Sequence, residues 1–86
     1  MKLPTDTITN ANAAHIVAQG EAAIRAGDLE IDFSGVVRCD TAAVACVLAW
    51  MRVAQAGGRK LVLRALPKDL VSLAKLYNVE ALIAPA

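Results

Sequence analysis

Aromatic residues are scarce in this chain. Phe33, Trp50 and Tyr77 make up 3% of its 86 residues. With so few rings, the core is expected to be built from Leu, Val, Ile and closely apposed Ala surfaces. Histidine is scarcer still. His15 stands alone with no second ligand at helical spacing, so no metal site is expected. The two cysteines, Cys39 and Cys46, have neither metal nor redox spacing and read as free thiols. Charge of one sign is also missing. The formal net charge is +1, which offers no basic field for a nucleic-acid backbone. Long apolar runs are absent too. The longest, Ala42–Met51, is too short to span a bilayer core, which takes about 20 helical residues. The segment from Met1 to Asp6 has no apolar signal-peptide core, so a cytoplasmic protein without direct membrane insertion is expected.

Hydrophobic residues are plentiful, at 57%, and this excludes a disordered chain. The length suits one domain over residues 1–86. Along it, Thr7-Ile8-Thr9 predicts a short strand. A helix follows, with Thr9 or Asn10 as N-cap, a stripe of Ala13, Val17, Gly20 and Ile24, and Gly27 as its stop. Leu29 to Phe33 alternates apolar and acidic residues, which is strand periodicity, and Ser34-Gly35 bends the chain. Asp40-Thr41 opens a second helix that Gly57-Gly58 stops. Leu61 to Ala65 reads as a central strand covered on both faces. Pro67 suits the first position of a third helix, with Leu66, Leu70, Leu73, Ala74 and Tyr77 on its buried stripe and Asn78 at its end. Ala81-Leu82-Ile83 reads as a weak terminal strand. Such alternation predicts an α/β domain, with a mostly parallel or mixed sheet of four to five strands packed by about three helices.

No motif supports catalysis. Gly57-Gly58-Arg59-Lys60 lacks the spacing of a phosphate loop and follows a helix instead of opening one. Ser34 and Ser72 have no recognisable base, and Glu30 and Asp32 are explained as the outer face of a strand. The expectation is a non-enzyme without cofactor or metal. A pocket protein for nucleotide or lipid is a weaker alternative, because no phosphate loop favours it.

The unusual feature begins at Asp40-Thr41. Both residue types cap helices, and only one can be the cap. The other is free to present its polar group at the surface. The helix beyond them is apolar around its circumference, so it must be covered on more than one side. Either neighbours enclose it, with harmless Ala outside, or part of Val44, Val47, Trp50 and Met51 stays exposed as a docking face.

Ile31-Asp32-Phe33-Ser34-Gly35-Val36, then Asp40-Thr41 and the apolar helix, resembles the pattern of the STAS domain family. Gly57-Gly58, the strand Leu61–Arg64 and the helix from Pro67 fit the same pattern. Leu73-Ala74-Lys75-Leu76-Tyr77-Asn78 resembles one branch, the small cytoplasmic STAS subunit of the Mla phospholipid ABC transporter. The likeness runs from about Thr7 to Ile83. It implies a protein-binding module without catalysis. In the Mla branch the partner is the ATPase subunit, whose stability and activity the STAS subunit supports. In the antagonist branch, the anti-sigma-factor antagonists, the residue at the position of Thr41 is phosphorylated by a partner kinase.

The resemblance points to Asp40, Thr41, Ala42, Val44 and Tyr77 as partner-binding or regulatory residues, with Thr41 the candidate phosphosite. Two departures stand out. Ala43 replaces a glycine common in the family, and its methyl is expected to limit a partner's approach. The family's usual first strand is reduced to Met1–Pro4, which suggests a sheet edge open to a partner or a second copy. Self-association through the second helix or that edge is the corresponding expectation.

Overall fold

The structure is a computed structural model and describes residues 1–76. Its order is β1 (Thr7–Ile8), α1 (Ala13–Arg25), β2 (Glu30–Asp32), β3 (Arg38–Cys39), α2 (Thr41–Ala56), β4 (Val62–Arg64) and α3 (Lys68–Leu76). Three helices and parallel strands make this the α/β domain expected. Tyr77, Asn78 and the strand read at Ala81–Ile83 lie outside the described residues.

The strands form two parallel pairs instead of one continuous sheet. Thr7 and Ile8 of β1 face Arg38 and Cys39 of β3. Glu30, Ile31 and Asp32 of β2 face Val62, Leu63 and Arg64 of β4. The stub Met1–Pro4, expected as a short remnant of a strand, pairs with β2. Leu3 donates its N–H to the Asp32 carbonyl at 3.0 Å, and Asp32 donates to the Met1 carbonyl at 2.9 Å. The N-terminal stub thus covers one side of β2. The expectation of β4 as a strand buried on both faces is corrected. Leu63 is buried, Val62 is half-buried, and Arg64 is exposed, its Nε 2.8 Å from the Glu30 carboxylate. Among the described residues, burial alternates along this strand, with Leu63 on the buried face and Arg64 on the open one. The ion pair is open to water on both sides and adds little to stability.

α1 starts later than its capping residues suggested. Thr9 and Asn10 are not its cap, because Asn12 holds that position without a side-chain cap bond. Those side chains close the preceding turn instead. Asn12 Oδ1 accepts from the Thr9 N–H at 3.0 Å, and Thr9 Oγ1 accepts from the Ala11 N–H at 3.2 Å. Ile16, Gly20 and Ile24 are buried, while Ala13 and Val17 are half-buried. At the far end Ala26 is the C-cap and Gly27 follows it with φ 102°. Gly27 donates to the Ile24 carbonyl and Asp28 to the Ala23 carbonyl, the paired bonds of a Schellman stop.

α2 runs between the limits the sequence marked. Its C-terminus repeats the Schellman pattern, with Gly58 donating to Gln55 and Arg59 to Ala54. α3 begins one residue after Pro67, whose carbonyl accepts from Leu70 and Val71.

Of the two readings of α2, the one that leaves part of Val44, Val47, Trp50 and Met51 exposed as a docking face is corrected for the first three. Val44, Val47 and Trp50 are buried, and Met51 is half-buried. α1 packs on one side of α2. Gly20 lets the two helices approach so closely that an added Cβ would lie 2.2 Å from Trp50 Nε1. The Trp50 indole N–H donates to the Val17 carbonyl at 3.1 Å, which satisfies the only polar atom of a fully buried ring. Phe33 tilts against it with ring centroids 6.2 Å apart. Ile8, Ile24, Ile31 and Leu70 complete the largest buried side chains. Each such side chain contributes about 1.5–3 kcal/mol on burial.

Cys46 belongs to this core as a free thiol. Burial pushes its pKa up to about 11 from the usual 9.0. Unfolding above the ordinary thiol pKa therefore releases a proton. Stability is intact below pH 9.0 and falls as pH rises toward about 11. A Cys46→Ala variant is expected to lose part of this alkaline slope, measured as urea midpoints against pH. An unchanged slope would show that Cys46 does not cause it.

Candidate functional site

The start of α2 divides two jobs between adjacent residues. Asp40 is the N-cap, in extended backbone, with Oδ1 accepting from the Ala42 N–H at 2.8 Å. Its own N–H donates to the Ile8 carbonyl at 3.1 Å, which ties the helix start to β1. Thr41 is left exposed, and no hydrogen bond to its hydroxyl is present among the described residues. Asp40→Ala should cost about 0.5–2 kcal/mol of stability, the range for losing such a cap. Thermal denaturation checks this, and an unchanged midpoint would deny Asp40 the capping role.

The remaining candidates separate. Ala42 and Val44 are buried at 7% and 5% exposure, so they support the helix start from beneath. Their burial corrects their reading as contact residues. Ala43 is 1% exposed, and its methyl sits in the core. The expected limit on a partner's approach is therefore also corrected. Tyr77 lies outside the described residues.

The fold brings α3 beside Thr41. Cys39, Asp40, Thr41, Asp69, Ser72 and Leu73 line an open groove of ≈ 360 Å³. Asp69 stands in the first turn of α3, where a carboxylate suits the helix dipole. Burial raises the half-buried Cys39 thiol above its ordinary pKa, and the charges of Asp69 and Asp40 add to the effect. This thiol is poorly suited to be a nucleophile. Sequence reasoning did not associate Asp69, Ser72, Leu73 or Cys39 with Thr41. Their approach depends on how α3 docks, and no local motif encodes it.

The other polar residues weighed in the sequence stay apart from this groove. Asp32 Oδ1 accepts from the Ser34 N–H at 2.8 Å, and bonding to Ser34 holds this carboxyl below its usual range. His15 is exposed on α1. Among the described residues, no group of three or more His, Cys, Asp or Glu is placed to hold a metal ion. No helix among them is long and apolar enough to cross a membrane.

The sequence model of the family described as "Mlab, STAS domain" matches residues 5–84. The chain belongs to the STAS domain family. No curated protein matches it significantly. In this STAS domain Asp40 and Thr41, at the start of α2, take distinct places. The Asp holds the helix, and the Thr faces outward beside the groove.

Proposed function

We propose that this STAS domain is a non-catalytic accessory subunit. It binds and stabilises the ATPase subunit of an Mla-type phospholipid-transport ABC complex, on the cytoplasmic side of the membrane. The carrying observation is Thr41, exposed at the helix start with Asp40 already serving as the cap. A side chain with no structural task, beside a groove walled by a second helix, suits recognition by another protein. The family description, which names the Mla branch, and the motif ending at Asn78 support the choice of partner.

Binding to the folded ATPase stabilises it by mass action, by about 2.7 kcal/mol when the subunit stands at about 100 times Kd. Co-expression of the chain with the ATPase of its own cell tests the reading. A stoichiometric complex with a raised melting temperature is expected, and the isolated chain should turn over no ATP. Recovery of the ATPase alone, at unchanged melting temperature, would overturn the reading. So would ATP turnover abolished by a point change in this chain.

The same exposed hydroxyl favours a second reading, an anti-sigma-factor antagonist phosphorylated at Thr41. A helix N-terminus favours phosphate, which carries about −1.5 to −2 charges. Capture of a kinase in place of the ATPase, with phosphate mapped to Thr41, would select this reading over the first.

A further inference from the structure

Beyond Thr41, the outer face of α2 carries no task in the reading above. Thr41, Ala45, Leu48 and Arg52 recur at helical spacing and share that face over about three turns. Thr41, Ala45 and Arg52 are exposed, and Leu48 is half-buried. An outward helix face normally carries mixed charges. Here Arg52 is the only charged residue of the whole helix. Beside it lies an open groove of ≈ 300 Å³, lined by Leu48, Met51, Arg52 and Gln55.

We propose that a second copy of this chain docks on this face, with the two α2 helices antiparallel about a two-fold axis. The face is complementary to itself in both size and charge. With the axis between Cys46 and Val47, Ala45 of each copy faces Leu48 of the other, so a small residue receives a large one. Thr41 then faces Arg52 of the other copy, because the two lie about 16 Å apart along each helix. Asp40 and Asp69 line the groove that contains Thr41. Each Arg52 therefore reaches an acidic end of its neighbour, and two symmetric ion pairs form. A two-fold contact of this kind closes on itself and stops at the dimer. One helix face is less than the ~800 Å² per partner of a standard interface, so the dimer is weak and forms at high concentration. It covers Thr41, and the proposed ATPase must displace it.

Sedimentation velocity of the isolated full chain over a wide concentration range tests this without the ATPase. A reversible monomer–dimer equilibrium is expected. Arg52→Glu should raise the dissociation constant about tenfold or more, as two ion pairs become repulsive. Ala45→Arg should abolish the dimer by filling the seat of Leu48. Both positions are exposed, and circular dichroism confirms that each variant is folded. Arg52→Glu combined with Asp69→Arg should recover most of the lost affinity, because the charges are exchanged across the axis. A monomer at every concentration would overturn the proposal. A dimer indifferent to Arg52→Glu and Ala45→Arg would also overturn it, since the copies would then meet elsewhere. The ATPase reading stands or falls separately on the co-expression result.

Discussion

Gly20→Ala is expected to lower the melting temperature of this domain by about 10–25 °C. A methyl at this position would lie 2.2 Å from Trp50 Nε1 and 2.5 Å from Cε2, far inside contact distance. Trp50 is fully buried and cannot turn aside without displacing Phe33 or opening a void. Its indole N–H would also lose the Val17 carbonyl. Overpacking costs about 1–3 kcal/mol, and an unsatisfied buried donor about 1–3 kcal/mol more. Alanine's helix propensity returns only about 1 kcal/mol. The net loss is a large share of the ~5–15 kcal/mol typical of a whole domain, and each kcal/mol moves the melting temperature by about 4–8 °C at this size. Trp50 fluorescence should shift to longer wavelength as the ring meets water. Should Gly20→Ala melt at or above the parent temperature, the close approach of α1 and α2 is not as described.

Thr41→Glu should leave the fold intact and weaken ATPase binding by at least about tenfold. The cap is supplied by Asp40, so stability loses no hydrogen bond. A carboxylate in the first turn gains about 0.3–1 kcal/mol from the helix dipole, and repulsion from Asp40 and Asp69 across the groove offsets part of that. The melting temperature should therefore stay within a few degrees of the parent. In the proposed complex the new charge would be desolvated without a counter-charge, which commonly costs about 2–5 kcal/mol or more. At a factor of ten per ~1.4 kcal/mol, this is visible in co-purification and in titration. Thr41→Val keeps the shape and removes only the hydroxyl. It should bind more tightly than Thr41→Glu. Wild-type affinity in Thr41→Glu would remove Thr41 from the interface.

Much of this architecture is legible in single stretches of chain. Asp40 and Gly57-Gly58 mark both ends of α2, because a cap and a Schellman stop depend on a few neighbouring residues. The alternation of Glu30, Ile31, Asp32 and Phe33 marks β2 and its buried side, since strand faces alternate along the chain. That one of Asp40 and Thr41 is left free is also readable, because one helix start takes one cap, and the structure makes Asp40 that cap. The start of α1 was not legible. Thr9 and Asn12 can cap a helix or close a turn with similar bonds, and the link from Asn12 to the Thr7 carbonyl at 2.7 Å selects the turn.

The sequence by itself determined the α/β class, the limits of α2 and that one of Asp40 and Thr41 is left free at its start. Tertiary structure alone decided which side of α2 is covered. An all-round apolar helix has no preferred face until a neighbour arrives. Here the neighbour is α1, which can come close only because Gly20 stands opposite Trp50. Tertiary structure also decided what surrounds Thr41, because Asp69, Ser72 and Leu73 reach it through the docking of α3. Caps and periodicity act over a few residues and are written locally. Burial and groove formation depend on residues far apart in the chain, whose meeting is settled only when the helices pack.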